Sequence, residues 1–230
     1  MKSYFVTGTD TGVGKTVITA ALAASLRRRG IDVGVMKPIA SGVQQKTGFK
    51  SSDSALLHEA VKVNDTEEMI NPVFLPVPTS PYDATKILNL EIDMKIIFEK
   101  FQHLLKAHQM LLVEGIGGIM TPITRNFFVV DMIKKMGLET IIVTRSTLGT
   151  LNHTMMTFVM CKEYGIAVKG MIINYFDEKG SFAERNAPST LHEITGLPIL
   201  GIIPFVKDYQ KLDTMTSIVE KNIDLNLLIS

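Results

Sequence analysis

The sequence has one cysteine and almost no net charge, and each of these shortages excludes a class of protein. Cys161 is the single cysteine, which excludes an intramolecular disulfide and a multi-cysteine metal site. We predict that it is a small buried hydrophobic residue rather than a catalytic thiol. The formal charge of +1 and the absence of any basic run longer than residues 27–29 argue against a general attraction to nucleic acid or anionic lipid. The sequence therefore predicts neither a nucleic-acid partner nor a membrane partner.

Long hydrophobic runs are also missing. No stretch reaches the roughly 20 apolar residues that a membrane-spanning helix requires. The first apolar run, residues 3–7, is too short for the core of a signal peptide. We therefore expect an unexported, cytoplasmic protein. With 46% hydrophobic residues in 230, the chain has material for one sizeable core, and we predict a single domain over residues 1–230.

Short apolar runs alternate with amphipathic stretches along the chain. This pattern predicts an α/β fold with a mostly parallel central sheet and helices on both faces, in three α/β/α layers. The predicted strands are residues 4–7, 33–37, 110–114, 140–144, 168–174 and 199–203. The predicted helices are residues 16–29, 54–61, 91–106, 128–136, 152–164, 185–195 and 215–228. Two long polar connections, 40–52 and 64–85, are where binding residues are expected to collect.

The glycine-rich segment GTDTGVGKT, residues 8–16, follows the first predicted strand and opens the first predicted helix. That context is typical of a P-loop, in which glycines let backbone N–H groups approach phosphate oxygens. Lys15 is expected to reach the β- and γ-phosphates, and the Thr16 hydroxyl to bind Mg²⁺. Five residues, rather than the common four, separate Gly8 from Gly14. An incidental Gly-rich turn is the alternative, but the surrounding strand and helix favour a P-loop NTPase fold.

Three charged residues follow strands or open helices near the predicted P-loop. Glu114 ends an apolar strand and precedes three glycines in four residues, a position suited to a second acid at the metal. Asp53 opens a predicted helix, where an acid also simply complements the helix dipole. Lys37 ends the second predicted strand, where it could be an ordinary edge charge. The sequence alone leaves a functional and a structural interpretation open for each.

Seven segments occur in an order that resembles the dethiobiotin synthetase family. They are GTDTGVGKT from Gly8, KPIASG from Lys37, SSD ending at Asp53, PTSP from Pro78, VEGIGG from Val113, LGTLNHT from Leu148, and the strand ending at Asn174. The resemblance covers residues 7–205, and the family shares the unusual P-loop spacing. Tyr175 departs from it, because an acidic residue is common there in the better-known members.

The resemblance implies an enzyme of biotin biosynthesis that uses ATP to carboxylate 7,8-diaminononanoate with CO₂ and close the ring of dethiobiotin, releasing ADP and phosphate. The implied intermediates are a carbamate and a carbamic-phosphoric anhydride. By this resemblance, the catalytic residues are Lys37, Lys15 and Thr11. Nucleotide-binding residues would be Thr9, Asp10, Gly12, Val13, Gly14, Lys15, Thr16, Val17, Asn174 and Pro204. Substrate-binding residues would be Thr11, Lys37, Ser41, Thr79, Ser80, Gly117, Gly118, Leu148, Gly149, Leu151 and Asn152. Mg²⁺ would be held by Thr16, Asp53 and Glu114.

The segment from Leu148 to Asn152 reads as a helix N-terminus, whose unpaired N–H groups can bind the far carboxylate of the diamine. In the resembled family this element comes from the neighbouring subunit, which implies a homodimer with sites shared across the interface. Asn174, by the same resemblance, contacts the nucleobase.

Two other functions fit the same architecture. A glutamine-dependent amidoligase of the cobyrinate type would need a further domain with a nucleophilic cysteine, and the chain has only Cys161. A partitioning or septum-positioning ATPase, which switches partners and makes no product, typically has a lysine where Asp10 stands and an Asp-Thr-Pro-type segment after the central strand. This chain has Glu114 and Gly115 there, so we favour the synthetase.

Overall fold

In the computed structural model, residues 2–209 and 211–229 are described, and strands alternate with helices along them. The strands are β1 (Tyr4–Gly8), β2 (Val33–Met36), β3 (Ile39–Ser41), β4 (Val73–Leu75), β5 (Met110–Gly118), β6 (Pro122–Thr124), β7 (Phe127–Phe128), β8 (Glu139–Arg145), β9 (Val168–Phe176) and β10 (Ile199–Pro204). The helices are α1 (Lys15–Arg28), α2 (Ser52–Val61), α3 (Glu67–Ile70), α4 (Pro81–Leu88), α5 (Met94–Ala107), α6 (Val129–Met136), α7 (Thr150–Glu163), α8 (Phe182–Thr195), α9 (Leu212–Asn222) and α10 (Asn226–Ile229).

The central sheet has the strand order β10-β9-β8-β1-β5-β2, and every pairing in it is parallel. Its carboxyl ends therefore meet along one edge, with β1 between β5 and β8. Two small pairs, β3 with β4 and β6 with β7, lie outside this sheet. The prediction of a mostly parallel α/β sheet is confirmed.

Alternating side chains divide the core into two faces, because successive residues of a strand point to opposite sides of the sheet. Tyr4 and Val6 of β1 pack in a cluster with α1 and α9, and Phe5 packs in a second cluster with α5 and α6. Helices α7 and α8 pack on β8 and β9. The three-layer arrangement follows from this division, since both faces of the sheet are apolar and both need cover.

Helix α1, which begins at the end of the P-loop, is largely buried. Its sequence is rich in alanine, and it packs closely against the sheet, α2 and α9. Leu22 and Leu26 are fully buried, and each contributes roughly 2 kcal/mol of hydrophobic stabilisation. At the other end of the core, the Tyr4 hydroxyl donates a hydrogen bond of 3.1 Å to the carbonyl of Leu228. The apolar contacts hold α1 in place, and the Tyr4 hydrogen bond ties β1 to α10.

Several segments differ from the predicted elements, since β3, β4, β6, β7, α3 and α4 were not predicted and the last predicted helix is interrupted. The prediction of one helix over 215–228 is wrong, because α9 ends at Asn222 and α10 begins at Asn226. Ile223 is extended and forms an antiparallel bridge with Gly201, and the Asp224 carboxylate accepts a hydrogen bond from the backbone N–H of Asn226. These contacts hold residues 223–225 in a non-helical conformation and so separate α9 from α10.

Helix α4 lies where a long polar connection was predicted to extend to residue 85. Its start has a recognisable sequence signal, since the Ser80 hydroxyl accepts from the N–H of Asp83 and Pro81 occupies the first turn. Within residues 2–209 and 211–229, no helix combines the length and apolar character needed to cross a membrane.

Candidate active site

The loop between β1 and α1 has the conformation that the glycine-rich motif demands. Gly14, at the helix N-cap, has a φ of 92°, which only glycine adopts readily. At Gly8, an added Cβ would lie 2.7 Å from Val13 Cγ2 and 2.9 Å from the ammonium nitrogen of Lys15. The glycines therefore allow Lys15 to lie across the loop, where it donates a hydrogen bond of 2.9 Å to the carbonyl of Asp10. The first-turn N–H groups of α1 face the same loop, which makes an anion site.

The outer side of this loop is held by side chains from the neighbouring strand ends. Asn174, at the end of β9, donates from Nδ2 to the carbonyl of Val13 over 2.9 Å. Arg145, at the end of β8, donates to the carbonyl of Gly12. Both bonds take up loop carbonyls, so the loop's N–H groups are left to face its inner side.

A cluster of four side chains lies beside the loop: Thr16 of α1, Lys37 just after β2, Asp53 of α2 and Glu114 in the middle of β5, which continues beyond the predicted strand end. The Lys37 ammonium is 2.6 Å from Glu114 Oε1 and 3.0 Å from Asp53 Oδ2, and it donates to the carbonyl of Gly115 over 3.1 Å. The Thr16 hydroxyl donates to the same Glu114 oxygen over 2.7 Å. Lys37 and Glu114 are 3% and 1% exposed, so this ion pair is shielded from water.

The pKa values of these groups follow from burial and from their neighbours. Burial, and after it the charge of Lys37, lower the pKa of Lys15 to about 8. Burial opposes charging of Lys37, but the Glu114 and Asp53 carboxylates outweigh it and raise the pKa of the ammonium. Lys37 in turn lowers the pKa of Asp53, whereas burial raises the pKa of Glu114. Lys37 therefore carries a charge at neutral pH.

Thr16, Asp53 and Glu114, the predicted metal ligands, are brought together. Glu114 Oε2 is buried and has no hydrogen-bond partner among the described residues, although a buried carboxylate oxygen normally has one. Hydroxyl and carboxylate oxygens are the ligands that Mg²⁺ prefers, with water and phosphate oxygens completing its shell. No group of three or more His, Cys, Asp or Glu suited to a metal occurs within residues 2–209 and 211–229. The donor set thus fits a magnesium ion carried by a nucleotide better than a metal caged by protein alone.

One cavity of about 920 Å³ connects most of the predicted site residues. The predicted residues that line it are Thr11, Gly12, Gly14, Lys15, Thr16, Val17, Lys37, Ser41, Asp53, Thr79, Ser80, Glu114 and Gly117. Thr9, Asp10, Val13, Gly118, Asn174 and Pro204 lie in the P-loop or at the ends of the neighbouring strands β5, β9 and β10, outside the cavity wall.

The wall opposite the P-loop comes from the segment around β3 and from the residues before α4. The Ser41 hydroxyl donates to the carbonyl of Thr79 over 2.8 Å, which fixes the two segments relative to each other. The Ser80 hydroxyl is used to cap α4 while it lines the cavity. Gly117 has a φ of 59°, and the backbone N–H of Gly118 donates a hydrogen bond of 2.9 Å to the Thr121 hydroxyl, which holds this turn.

Leu148, Gly149, Leu151 and Asn152 lie apart from this cavity, at the start of α7. Gly149 is the N-cap of α7 in the left-handed region, and Leu148 is 86% exposed. None of the four therefore lines the P-loop cavity of its own chain.

Some residues of the site were not predicted from the sequence. Tyr175 and Tyr209 line the cavity, and Ile116 and Thr121 line it near the glycine turn. Arg145 holds the P-loop. Ile116 lies within the VEGIGG segment but was not assigned a role, and the other four belong to none of the quoted segments.

The fold is shared with proteins of known structure. A ParA family ATPase from Chlorobium tepidum TLS superposes with a TM-score of 0.55 at 20% identity, covering 96% of this chain and 93% of that chain. The MinD cell division protein of Aquifex aeolicus gives a TM-score of 0.56 at 16% identity, covering 95% and 89%. At these identities the likeness concerns the fold alone.

Sequence relatives are much closer. A family model described as an AAA domain matches residues 2–212. The ATP-dependent dethiobiotin synthetase BioD of Nitrosopumilus maritimus is 50% identical, with 100% of both chains covered. The proteins of the same name from Thermodesulfovibrio yellowstonii and Bacillus subtilis strain 168 are 43% and 35% identical, covering 99% and 100% of this chain and 98% of each relative. Full-length similarity at this level shows that the chain belongs to the ATP-dependent dethiobiotin synthetase family.

Proposed function

We propose that the protein uses ATP to carboxylate 7,8-diaminononanoate with CO₂ and close the cyclic urea of dethiobiotin, releasing ADP and phosphate. Its family membership supports this reaction. The observation that carries the proposal is the presence of two buried ammonium groups, Lys15 and Lys37, on one cavity beside the P-loop. Lys15 suits the phosphates of a bound nucleotide. Lys37 suits a second anion, one that must approach the γ-phosphate.

The reaction requires anions to come together in three steps. One amine attacks CO₂ and loses a proton, which gives a carbamate. A carbamate oxygen then attacks the γ-phosphorus, ADP leaves, and a carbamic-phosphoric anhydride forms. The second amine attacks the carbonyl carbon and phosphate leaves, taking the bridging oxygen with it. Catalysis of such a phosphoryl transfer consists mainly of positioning and of charge stabilisation.

The cationic residues are assigned by their positions relative to the P-loop. Lys15 lies across the loop, where it would contact the transferring phosphoryl group. Lys37 lies at the adjacent strand end, where it would stabilise the carbamate once it releases part of its contact with the two carboxylates. Thr11 is exposed on the inner rim of the cavity and would contact the carbamate.

Thr16, Asp53 and Glu114 would hold Mg²⁺ delivered with ATP. When bound, the ion would neutralise charge on the phosphate oxygens. The chain's own contribution is to orient its oxygens, since the Thr16 hydroxyl and the Lys37 ammonium both fix Glu114 Oε1 and leave Oε2 without a partner among the described residues.

The rest of the cavity would hold the diamine. Ser41 and Thr79 form one wall, and Gly117 lets the backbone approach on another. We further propose that the far carboxylate binds the first turn of α7 from a second subunit. Exposed apolar residues on and beside this helix support a self-association surface: Leu148, Leu151, Met156 and Val159. The proposed homodimer would function in the cytoplasm.

The direct test measures phosphate release from MgATP with bicarbonate present, with and without 7,8-diaminononanoate, and identifies the product by mass spectrometry. We expect diamine-dependent release and a cyclic urea. Bicarbonate labelled with ¹⁸O should transfer one label to phosphate, because the bridging oxygen comes from the carbamate.

Lys37→Ala and Lys15→Ala should abolish turnover. Lys95→Ala is the matched control, since that lysine side chain is 81% exposed on α5, and it should leave the rate unchanged. ATP hydrolysis that is indifferent to the diamine would contradict the proposal and favour a switch ATPase instead. Unlabelled phosphate alongside urea formation would contradict the anhydride intermediate alone.

A further inference from the structure

Two aromatic residues form one end of the active-site cavity. Tyr175 and Tyr209 line the same cavity as Gly14, Thr16 and Val17. Tyr175 lies in β9, two strands from β1 on one side, whereas Lys37 follows β2, two strands from β1 on the other side. The tyrosines and the reacting end are therefore at opposite ends of the P-loop. With the phosphates in the P-loop and the γ-phosphate towards Lys37, the base of a bound nucleotide would extend towards the tyrosines.

The backbone of Tyr175 is held in an unusual conformation. Its φ is 56°, a region that bulky side chains rarely adopt and that persists only where surrounding contacts enforce it. The Arg145 guanidinium lies 5.1 Å from the Tyr175 ring centroid, and the Tyr209 ring lies 5.5 Å away at an angle of 83°. The Tyr175 ring also packs against the P-loop, where a Cβ at Gly14 would lie 3.4 Å from it. These contacts fix an aromatic wall, defined here as Tyr175 and Tyr209.

One polar side chain at this end is already committed to the P-loop. Asn174, which the sequence predicted to contact the base, donates from Nδ2 to the Val13 carbonyl and is 2% exposed. An amide committed to the P-loop has less freedom to adapt to a base, whereas an aromatic ring stacks on any base because every base has a π-face.

We infer that the aromatic wall binds the nucleobase by stacking, so that the enzyme accepts purine and pyrimidine triphosphates with little discrimination. The inference rests on the nucleotide site of the proposed function and names its substrate class. Removal of one stacking ring should weaken every nucleotide by about tenfold or more. Contacts to the phosphates should be unaffected, because they come from the P-loop.

The test is direct binding of Mg²⁺ complexes of ADP, GDP, CDP and UDP to the full-length protein by calorimetry, without diamine. Inorganic tripolyphosphate serves as the ligand that has no base. We expect the four nucleotides to bind within about tenfold of one another. Tyr175→Ala should weaken all four by a similar factor and leave tripolyphosphate unchanged, while Tyr175→Phe should keep wild-type affinity. Tyr175→Asn, whose side chain tolerates the left-handed region, provides a second variant without the ring.

Three results would overturn the inference. The first is a preference of about 100-fold or more for one base. The second is unchanged nucleotide affinity in both variants that lack the ring. The third is a loss of tripolyphosphate affinity equal to the loss of nucleotide affinity, which would mean that Tyr175 acts only through the P-loop. The diamine-dependent assay is independent of these binding measurements. Loss of diamine dependence with base-tolerant binding intact would contradict the proposed reaction and leave the aromatic wall standing.

Discussion

Replacement of Lys37 by methionine should lower the free energy of unfolding, because it removes the cation of the buried ion pair. Lys37 and Glu114 approach to 2.6 Å, and their side chains are 4% and 1% exposed. Methionine keeps most of the volume but leaves the Glu114 charge in the interior with only the Thr16 hydroxyl on Oε1. Removal of one partner of a buried pair costs about 3 to 5 kcal/mol. For a chain of 230 residues, this corresponds to a fall in Tm of about 10 °C.

A second substitution tests the cause of that loss. Glu114→Gln added to Lys37→Met should restore about 2 kcal/mol, because a neutral amide carries no buried charge. Urea unfolding without nucleotide or metal measures all three proteins, with Lys95→Met as the exposed control. The reasoning is refuted if Lys37→Met lies within about 1 kcal/mol of wild type, or if the second substitution destabilises the protein further. Either result would mean that Glu114 is not held as a buried anion by Lys37.

Three further predictions concern residues outside the reacting centre. Thr144→Val removes a buried hydroxyl that lies within 3.1 Å of three other threonine hydroxyls, and it should cost about 2 kcal/mol in urea unfolding, whereas Thr144→Ser should cost under about half of that; equal stability of both variants would contradict the role of the hydroxyl. Tyr4→Phe should lose about 1 kcal/mol through the bond to the Leu228 carbonyl, and an unchanged urea midpoint would contradict this. Burial raises the pKa of Cys161 from 9.0 to about 12, so its stabilising contribution is complete below pH 9 and is lost as the pH rises towards 12; a disulfide reagent at pH 8 should label it only on unfolding, and rapid labelling of the folded protein would contradict its burial.

The central sheet could be predicted from the sequence because strands covered on both faces read as continuous apolar runs. The run Met110 to Val113 is an example, and all four residues are fully buried. The P-loop could be predicted because its glycines are adjacent in sequence and its chemistry is local. Helix α4 had a local signal too, in Ser80 and Pro81, which a search for apolar periodicity overlooks.

The remaining features depend on which distant segments meet. Lys37 and Glu114 are 77 positions apart, and only the adjacency of β2 and β5 joins them. Arg145 and Asn174 hold the P-loop because β8 and β9 end beside it, and nothing in their own segments indicates that contact. Ile223, predicted to be helical, is extended and forms a bridge with Gly201. This too is a contact between distant segments.

Strand register explains why the acid, the cations and the phosphate loop face one another. Glu114 is paired with Val6 across β5 and β1, and Val6 packs on the α1 face of the sheet. Because side chains alternate, Glu114 points to the same face, where α1 carries Thr16 and α2 carries Asp53. Met36 is paired with Val113, so Lys37 follows beside Glu114. A shift of one residue in β5 would send the carboxylate to the opposite face and separate it from every group that it contacts. The fold alone, which ParA and MinD proteins share, therefore does not determine the chemistry. The residues at single positions along these strands determine it.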